Sequence, residues 1–306
     1  MSKPVAVSFE FFPPGDESMA RQLWTCVQRL APLRPNFVSV TYGADGSTRN
    51  RTHECVSRIL RETDLTVAPH LTCVGASRAE VLRIAATYWA QGVRHLVALR
   101  GDAPAAELSS ASHAPPASQS SPACAHDPNP AGFAHASELV AGLKDVGQFE
   151  VSVAAYPEGH PESPSAAADL DYLKRKVEAG AGRAITQFFF DTDVFLRFRD
   201  RCSAAGIHAH LVPGILPIAR FAQLLRFAER CGASVPQWLR QRFDGLDEDP
   251  DTRRLIAANV AIEQVERLRA HGVDEFHFYT LNRAELTYAI CHAMGLRPRL
   301  IEAEVA

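Results

Sequence analysis

The stretch Val5-Ala6-Val7-Ser8-Phe9-Glu10-Phe11-Phe12-Pro13-Pro14-Gly15 decides the fold of this chain, because it is a strongly apolar strand with one carboxylate near its end. Large apolar residues on both faces are typical of a parallel strand that is covered by helices. Apolar surroundings push Glu10 towards its protonated form, which is the state that a general acid needs near neutral pH. The alternative is that Glu10 lies at the rim of a barrel and contacts water or an arginine.

Composition indicates an ordinary globular protein. The chain has 306 residues, of which 46% are hydrophobic and 22% charged, enough for one large domain. The net charge of −3 gives no reason to expect nucleic acid or an anionic membrane as a partner. The sequence contains no apolar run of membrane-spanning length, and its start, Met1-Ser2-Lys3-Pro4, lacks the apolar core of a signal peptide. We therefore expect a cytoplasmic protein.

Cysteine and histidine spacing argues against a metal site. The seven cysteines are scattered and form no C-x-x-C pair, which favours reduced thiols over a zinc site or a disulfide framework. His113 and His126 lack carboxylates or thiolates at ligand spacing. His208 and His210 could share one strand face but have no third ligand nearby, so we place them on a strand at the bottom or wall of a barrel.

The apolar period switches in regular order between two and 3.6 residues, which predicts alternating strands and helices. After the first strand, the predicted strands are Phe37 to Tyr42, Leu65 to Cys73, His95 to Leu99, Val151 to Ala155, Ala184 to Phe190, His208 to Val212 and Glu275 to Leu281. The predicted helices are Ser18 to Leu30, Thr52 to Glu62, Ser77 to Gln91, Ala136 to Asp145, Ala166 to Ala179, Asp193 to Ala205, Phe221 to Cys231, Asp251 to Ala270 and Glu285 to Met294. Eight strands in this order favour a single α/β domain over residues 1–306, a (β/α)₈ TIM barrel with an additional helix before the last strand.

Polar residues fall at the carboxyl ends of these strands, where the site of a barrel lies. The residues concerned are Glu10, Thr41, His70, Thr72, Arg100, Gly101, Asp102, Tyr156 to His160, Gln187, Tyr279, Asn282 and Arg283. One segment interrupts the pattern, because residues 103–134 are dominated by Ala, Ser and Pro and contain no Lys or Arg. We predict that this segment is a flexible loop.

The motifs leave more than one function open. The sequence has no G-x-G-x-x-G after a strand, no P-loop and no G-x-S-x-G elbow. An isolated acid, hydrogen-bonding groups and aromatic rings suit a flat heteroaromatic ligand and proton or hydride transfer. A barrel lyase or aldolase without a redox cofactor would need a Schiff-base lysine, which none of the predicted strands contains. A protein that carries such a ligand without catalysis would need no acid at Glu10.

Eight segments, taken in order, resemble bacterial methylenetetrahydrofolate reductase, and they cover nearly the whole chain except the Ala/Ser/Pro segment. They are Ser8 to Pro14 (SFEFFPP), Phe37 to Ala44 (FVSVTYGA), Pro69 to Cys73 (PHLTC), Ala98 to Asp102 (ALRGD), Val153 to Glu158 (VAAYPE), Ile185 to Asp191 (ITQFFFD), Pro213 to Pro217 (PGILP) and Phe278 to Arg283 (FYTLNR). Each motif alone is weak, whereas eight in order are specific.

The resemblance implies FAD held in the barrel, NADH as electron donor and 5,10-methylenetetrahydrofolate as substrate, in a ping-pong reaction that yields 5-methyltetrahydrofolate for methionine synthesis. It further implies a homo-oligomer, with a tetramer as the expected form. The matching FAD positions are Thr41, His70, Arg100, Gly101, Asp102, Ala136, Tyr156, His160, Asp169 and Lys176. The expected folate contacts are Asp102, Gln187, Gln223, Tyr279 and Arg283, and the expected catalytic residues are Glu10, as the acid that protonates folate N10, and Asp102, as an electrostatic partner.

Two residues depart from the family pattern. His135 stands where a tyrosine beside the flavin is expected, and Tyr172 replaces a small polar residue near the same cofactor. The chain also ends at Ala306, which leaves no room for the C-terminal regulatory domain of the animal enzymes.

Overall fold

A computed structural model describes residues 5–42, 49–101 and 131–299. Within these residues one parallel sheet contains nine strands. The strands are β1 (Ala6–Phe11), β2 (Phe37–Val40), β3 (Val67–Thr72), β4 (His95–Leu99), β5 (Glu150–Ala155), β6 (Arg183–Thr186), β7 (His210–Val212), β8 (Gly214–Ile215) and β9 (Glu275–Tyr279). Their order across the sheet is β7, β6, β5, β4, β3, β2, β1, β9, β8.

Helices follow the strands as the sequence predicts. In the described residues they are α1 (Glu17–Leu30), α2 (Arg49–Glu62), α3 (Arg78–Ala90), α4 (Ala136–Val146), α5 (Ala166–Glu178), α6 (Thr192–Ala204), α7 (Phe221–Cys231), α8 (Gln237–Phe243), α9 (Pro250–Ala270) and α10 (Ala284–Ala293). A capping box begins α3, since the Ser77 side chain accepts from the Glu80 backbone N–H while the Glu80 carboxylate accepts from the Ser77 backbone N–H.

The barrel closes where its seventh strand bends at Pro213. The first half of that strand, β7, pairs with β6, and the second half, β8, pairs with β9. Pro213 lies between the halves, and its carbonyl oxygen accepts a hydrogen bond from the His277 backbone N–H at 3.0 Å. β7 and β8 therefore act as one bent strand, so the predicted eight-stranded barrel is confirmed, and the additional helix before the last strand is α9.

Side-chain alternation along β1 sets the two faces of the barrel wall. Val7, Phe9 and Phe11 are fully buried in the apolar layer between strands and helices. Ser8 and Glu10 point to the opposite face, which is the interior of the barrel. The strand is thus buried on both sides, as its composition predicts.

One predicted strand is shorter in the structure than expected, and one helix is missing from the prediction. The strand expected over Ala184 to Phe190 ends at Thr186, because the Gln187 side chain accepts from the Phe188 backbone N–H at 3.0 Å and replaces the next ladder bond. Helix α8 is absent from the prediction, although its buried Leu239 and Phe243 help to form a second apolar cluster below α7.

Several expectations fall on residues that the structure does not describe. Asp102 lies outside the described residues, as do residues 103–130 of the segment that we expect to be a flexible loop, so both expectations stay predictions. Among the described residues no group of three metal-ligating side chains is found, and none of the described helices is long and apolar enough to cross a membrane. The six described cysteines are free thiols.

Candidate active site

The carboxylate of Glu10 lies inside the carboxyl end of the barrel, next to two imidazoles. Its Oε2 is 3.4 Å from His70 Nε2 on β3 and 3.7 Å from His277 Nε2 on β9. Burial lowers the pKa of His70, and the attraction of Glu10 only partly opposes this effect, so His70 is neutral near pH 7. No Arg or Lys of the described residues forms an ion pair with Glu10. The carboxyl group is therefore placed for proton transfer, without a cation that would fix its charge.

His277 lies next to Glu10 on β9, the strand that pairs with β1. Its Nδ1 lies 2.8 Å from Ser8 Oγ, and both residues are fully buried. Its Nε2 points towards Glu10 and is a buried nitrogen without a hydrogen-bond partner in the described part of the chain. Sequence reasoning missed His277, although alternation along Glu275-Phe276-His277-Phe278-Tyr279 indicates that it shares the inner face with Tyr279.

Tyr279 forms the adjacent wall, because the β1–β9 register places it opposite Glu10. Its ring lies edge-on to His277 at 5.4 Å between ring centres, and its hydroxyl donates to the Thr186 carbonyl oxygen on β6 at 2.7 Å. Burial, with smaller repulsion from Glu10, raises the pKa of the Tyr279 phenol well above its usual value. The phenol therefore stays protonated and acts as a hydrogen-bond donor.

A layer of apolar side chains lies below this group. Phe37 stacks on His277 at 5.8 Å and contacts the His95 ring edge at 4.4 Å. It belongs to a small cluster inside the barrel, whose buried members are Phe37, Ala68, Val97, Ile185 and Val212. This layer separates Glu10 from the charged residues at the amino-terminal end of the barrel.

The amino-terminal end holds a network of ion pairs. Glu275 binds His210 at 2.9 Å and Arg183 at 3.3 Å, and Arg183 also pairs with Glu150. This confirms that His210 lies at the bottom of the barrel as a structural residue. His95 lies nearby with its Nε2 2.8 Å from Ser152 Oγ, and burial lowers its pKa to about 4.

Four of the expected FAD positions, on the loop after β5 and on α5, lie beside the carboxyl end of the barrel. The rings of Tyr156 and His160 contact edge to face at 4.6 Å. Lys176 donates to the Ala154 carbonyl oxygen at 2.5 Å, and burial lowers its pKa to about 8 despite the attraction of Asp169. Burial raises the pKa of Asp169, and the nearby Lys176 and His160 partly oppose this increase.

The other expected FAD positions lie at neighbouring strand ends and at one helix start. Arg100 pairs with Glu162, and Gly101 adopts a φ of 89° that favours glycine. Thr41 follows β2, where its carbonyl oxygen accepts from Thr52. Ala136 is the first residue of α4, so its backbone N–H has no acceptor within the helix.

The two departures from the family pattern pack against each other. The rings of His135, at the start of α4, and Tyr172, on α5, are stacked with centres 6.3 Å apart. The guanidinium of Arg175 lies 5.7 Å from the centre of the Tyr172 ring. The two residues therefore form an aromatic contact between α4 and α5.

The expected folate contacts are spread over three loops and helices. Gln187 follows β6, Gln223 lies in the first turn of α7, and Arg283 is the exposed residue that precedes α10. The turn before Arg283 is held by Asn282, whose amide side chain binds both the backbone N–H and the carbonyl oxygen of Phe12. Sequence reasoning noted Asn282 only as a polar residue, since its partner lies 270 positions away.

Comparison with known sequences decides the family. The sequence model of the family described as methylenetetrahydrofolate reductase matches residues 1–295. The chain belongs to the methylenetetrahydrofolate reductase family. It is 51% identical over 296 residues to the 5,10-methylenetetrahydrofolate reductase of Escherichia coli (strain K12), covering 97% of this chain and 93% of that protein. The counterpart from Pectobacterium carotovorum subsp. carotovorum is also 51% identical, over 96% of this chain and 91% of its own length.

As a member of this family, the chain is an oxidoreductase that reduces methylenetetrahydrofolate. A plant member, methylenetetrahydrofolate reductase (NADH) 1 of Arabidopsis thaliana, is 33% identical over 95% of this chain but 48% of its own length. A solved structure from Clostridium thermocellum, described as binding two copies of 5-methyl-5,6,7,8-tetrahydrofolic acid, superposes with a TM-score of 0.61 at 12% identity, over 96% of each chain. At that identity the likeness supports the barrel fold alone.

Proposed function

We propose that the chain reduces 5,10-methylenetetrahydrofolate to 5-methyltetrahydrofolate with FAD as cofactor and NADH as electron donor, in two half-reactions that use the same site in turn. One observation carries the proposal: Glu10 lies at the carboxyl end of the barrel beside a neutral imidazole and, among the described residues, without a cationic partner. This is the environment of a general acid rather than of a structural ion pair.

The residues present fit a flavin dinucleotide. The side chains of Arg100, His160 and Lys176 can carry positive charge towards phosphate groups, and the first turn of α4 offers backbone N–H groups. Thr72 Oγ1 is buried at the end of β3 and has no hydrogen-bond partner in the described part of the chain, so a polar ligand group could satisfy it. When bound, the flavin accepts two electrons from NADH and passes them to the folate.

Glu10 supplies the proton that opens the folate ring. In its protonated form the carboxyl group can donate to N10 of the bound substrate, which breaks the bond between N10 and the methylene carbon and leaves a cationic iminium at N5. His70 and His277 flank the carboxyl group from two strands, and the protonated phenol of Tyr279 lies on the strand beside it. These rigid strand positions fix the acid relative to the ligand, which matters more for catalysis than their individual bond strengths.

The remaining residues orient the two ligands. Gln187, Gln223 and Arg283 surround the carboxyl end of the barrel, and we assign them to the folate, since amide and guanidinium groups suit its pterin and its carboxylates. We assign Asp102 to the electrostatic stabilisation of the cationic iminium. We also infer a cytoplasmic homo-oligomer, with a tetramer as the form expected from the family; sedimentation of the purified protein tests the assembly.

A spectroscopic experiment separates this proposal from the other two functions. The purified protein should be yellow with a flavin spectrum, which should bleach under anaerobic NADH and return when 5,10-methylenetetrahydrofolate is added. A colourless protein that takes up no flavin would indicate a flavin-free function. A flavin that NADH bleaches but the folate does not reoxidise would indicate a carrier or a different substrate.

A further inference from the structure

The side chain of Tyr279 reaches away from the acid that lies beside it. Tyr279 and Glu10 are register partners on the adjacent strands β9 and β1, and both face the interior of the barrel. Instead of donating to the carboxylate, the Tyr279 hydroxyl passes over β8 and donates to the Thr186 carbonyl oxygen on β6, at 2.7 Å. The phenol is thus held on the side of β9 that faces β8 and β6, away from the strand of Glu10.

Glycine at position 214 makes this path possible. A Cβ atom at Gly214 would lie 2.2 Å from the Thr186 carbonyl oxygen and 2.6 and 2.8 Å from the Cε2 and hydroxyl oxygen of Tyr279. All three distances are far below van der Waals contact, so any other residue would displace the phenol or the backbone. Thr186 also fixes Gly214 through its own side chain, since Thr186 Oγ1 accepts from the Gly214 backbone N–H at 3.0 Å.

The direction of the phenol matters for an acid, because a hydrogen bond donated to a carboxylate stabilises its charged form, so that a smaller fraction of the carboxyl group carries a proton near neutral pH. The titratable groups that face Glu10 in the described residues are His70, His277 and Tyr279, and those near Tyr279 from other elements are Tyr156, which follows β5, and Cys231, at the end of α7. Among the groups that face Glu10, Tyr279 carries an uncharged O–H donor, and this donor bonds to the Thr186 carbonyl oxygen instead.

We propose that Gly214 is a positioning residue of the folate half-reaction: together with the Thr186 carbonyl oxygen it holds the Tyr279 hydroxyl away from Glu10, so that this carboxyl keeps its proton for the substrate. The inference rests on the proposed role of Glu10 as the acid. It also explains why glycine occupies position 214, since a side chain there would take the space of the phenol.

The test compares pH profiles of the folate half-reaction, measured by stopped flow on flavin enzyme that has been reduced beforehand. Gly214→Ala should turn the phenol towards Glu10 and move the midpoint of the fall in rate with rising pH down by about one unit, which costs about tenfold in rate above that midpoint. Tyr279→Phe alone should leave the midpoint in place, because no bond to Glu10 is lost. The double variant Gly214→Ala/Tyr279→Phe should return the midpoint to that of the unchanged protein.

Gly182→Ala is the matched control, since a Cβ atom at Gly182 meets nothing within 4 Å, and its profile should not move. A Gly214→Ala shift that persists in the double variant, or a folded Gly214→Ala protein with an unmoved profile, would overturn the inference. If Gly214→Ala does not fold, Tyr279→Phe decides, because a moved midpoint there would mean that the phenol already donates to Glu10. If the unchanged protein bleaches with NADH but fails to reduce the folate, the proposed function is wrong, and the role of Gly214 is wrong with it.

Discussion

The two ends of the barrel interior use the same residue types for opposite purposes. At the amino-terminal end Glu275 binds both His210 and Arg183, and these partners lower the pKa of the carboxyl group against the effect of burial. At the carboxyl-terminal end Glu10 has the two imidazoles of His70 and His277 at 3.4 and 3.7 Å and no cationic partner in the described residues. A glutamate beside histidine is therefore structural where an arginine fixes its charge and chemical where none does.

The place where the barrel closes, at the bend at Pro213, explains why the amino-terminal end needs ion pairs. β8 and β9 are joined by backbone hydrogen bonds, but below Pro213 β7 has no ladder with β9. The Glu275–His210 contact joins these strands by their side chains instead. The apolar layer around Phe37 lies between this network and Glu10.

Glu10→Gln should give the largest effect at the carboxyl-terminal end. We expect flavin binding and reduction by NADH to be retained. The folate half-reaction should slow by about 10²-fold or more, because an amide cannot replace a general acid. Stopped-flow absorbance of each half-reaction measures the difference. Equal slowing of both half-reactions would make Glu10 a structural residue like Glu275 and remove the contrast between the ends.

Glu275→Gln should have the reverse effect. Removing one member of a buried ion network leaves the Arg183 charge less compensated, which costs about 3 kcal/mol of unfolding free energy and lowers the melting temperature by roughly 5 °C or more. Both half-reactions should keep their rates. Thermal unfolding of Glu275→Gln and Glu10→Gln side by side makes each variant the control for the other, and an unchanged melting temperature in Glu275→Gln would contradict the structural role.

The comparison also applies to cations. Arg183 at the amino-terminal end stays charged at all ordinary pH values, whereas Lys176 near the carboxyl-terminal end can lose its proton. Because its pKa is lowered to about 8, Lys176 loses its proton as pH rises through that value. FAD affinity of the apoprotein should therefore fall by up to about tenfold per pH unit above pH 8, since an anionic cofactor favours the protonated lysine. Titration of FAD fluorescence measures this, with Lys176→Met losing the pH dependence and Lys174→Met keeping it.

His210→Gln should give the smallest effect. The bond to Glu275 raises the pKa of His210, so the stabilisation is fully present below about pH 6.5, the ordinary histidine value, and is lost as pH rises through the raised pKa of the folded protein. His210 is half exposed, which limits the gain to about 1 kcal/mol or less. Melting temperatures of the variant and the unchanged protein should differ most near pH 6 and converge at high pH. A difference that is the same at every pH would show that the charge of His210 does not cause the stabilisation.

The sequence by itself determined the alternation of strands and helices, the barrel, the carboxyl-end position of Glu10 and the family. These follow from local patterns, because the period of apolar residues reports which face of a segment is buried. Only the tertiary structure decided which side chains meet. His277 and Ser8 are 269 positions apart, and the path of Tyr279 over Gly214 to Thr186 joins three strands, so neither contact leaves a local signal. Partners of this kind are set by strand order and register around the closed barrel, and these decide whether a glutamate on the inner face of the barrel finds an arginine or remains an acid.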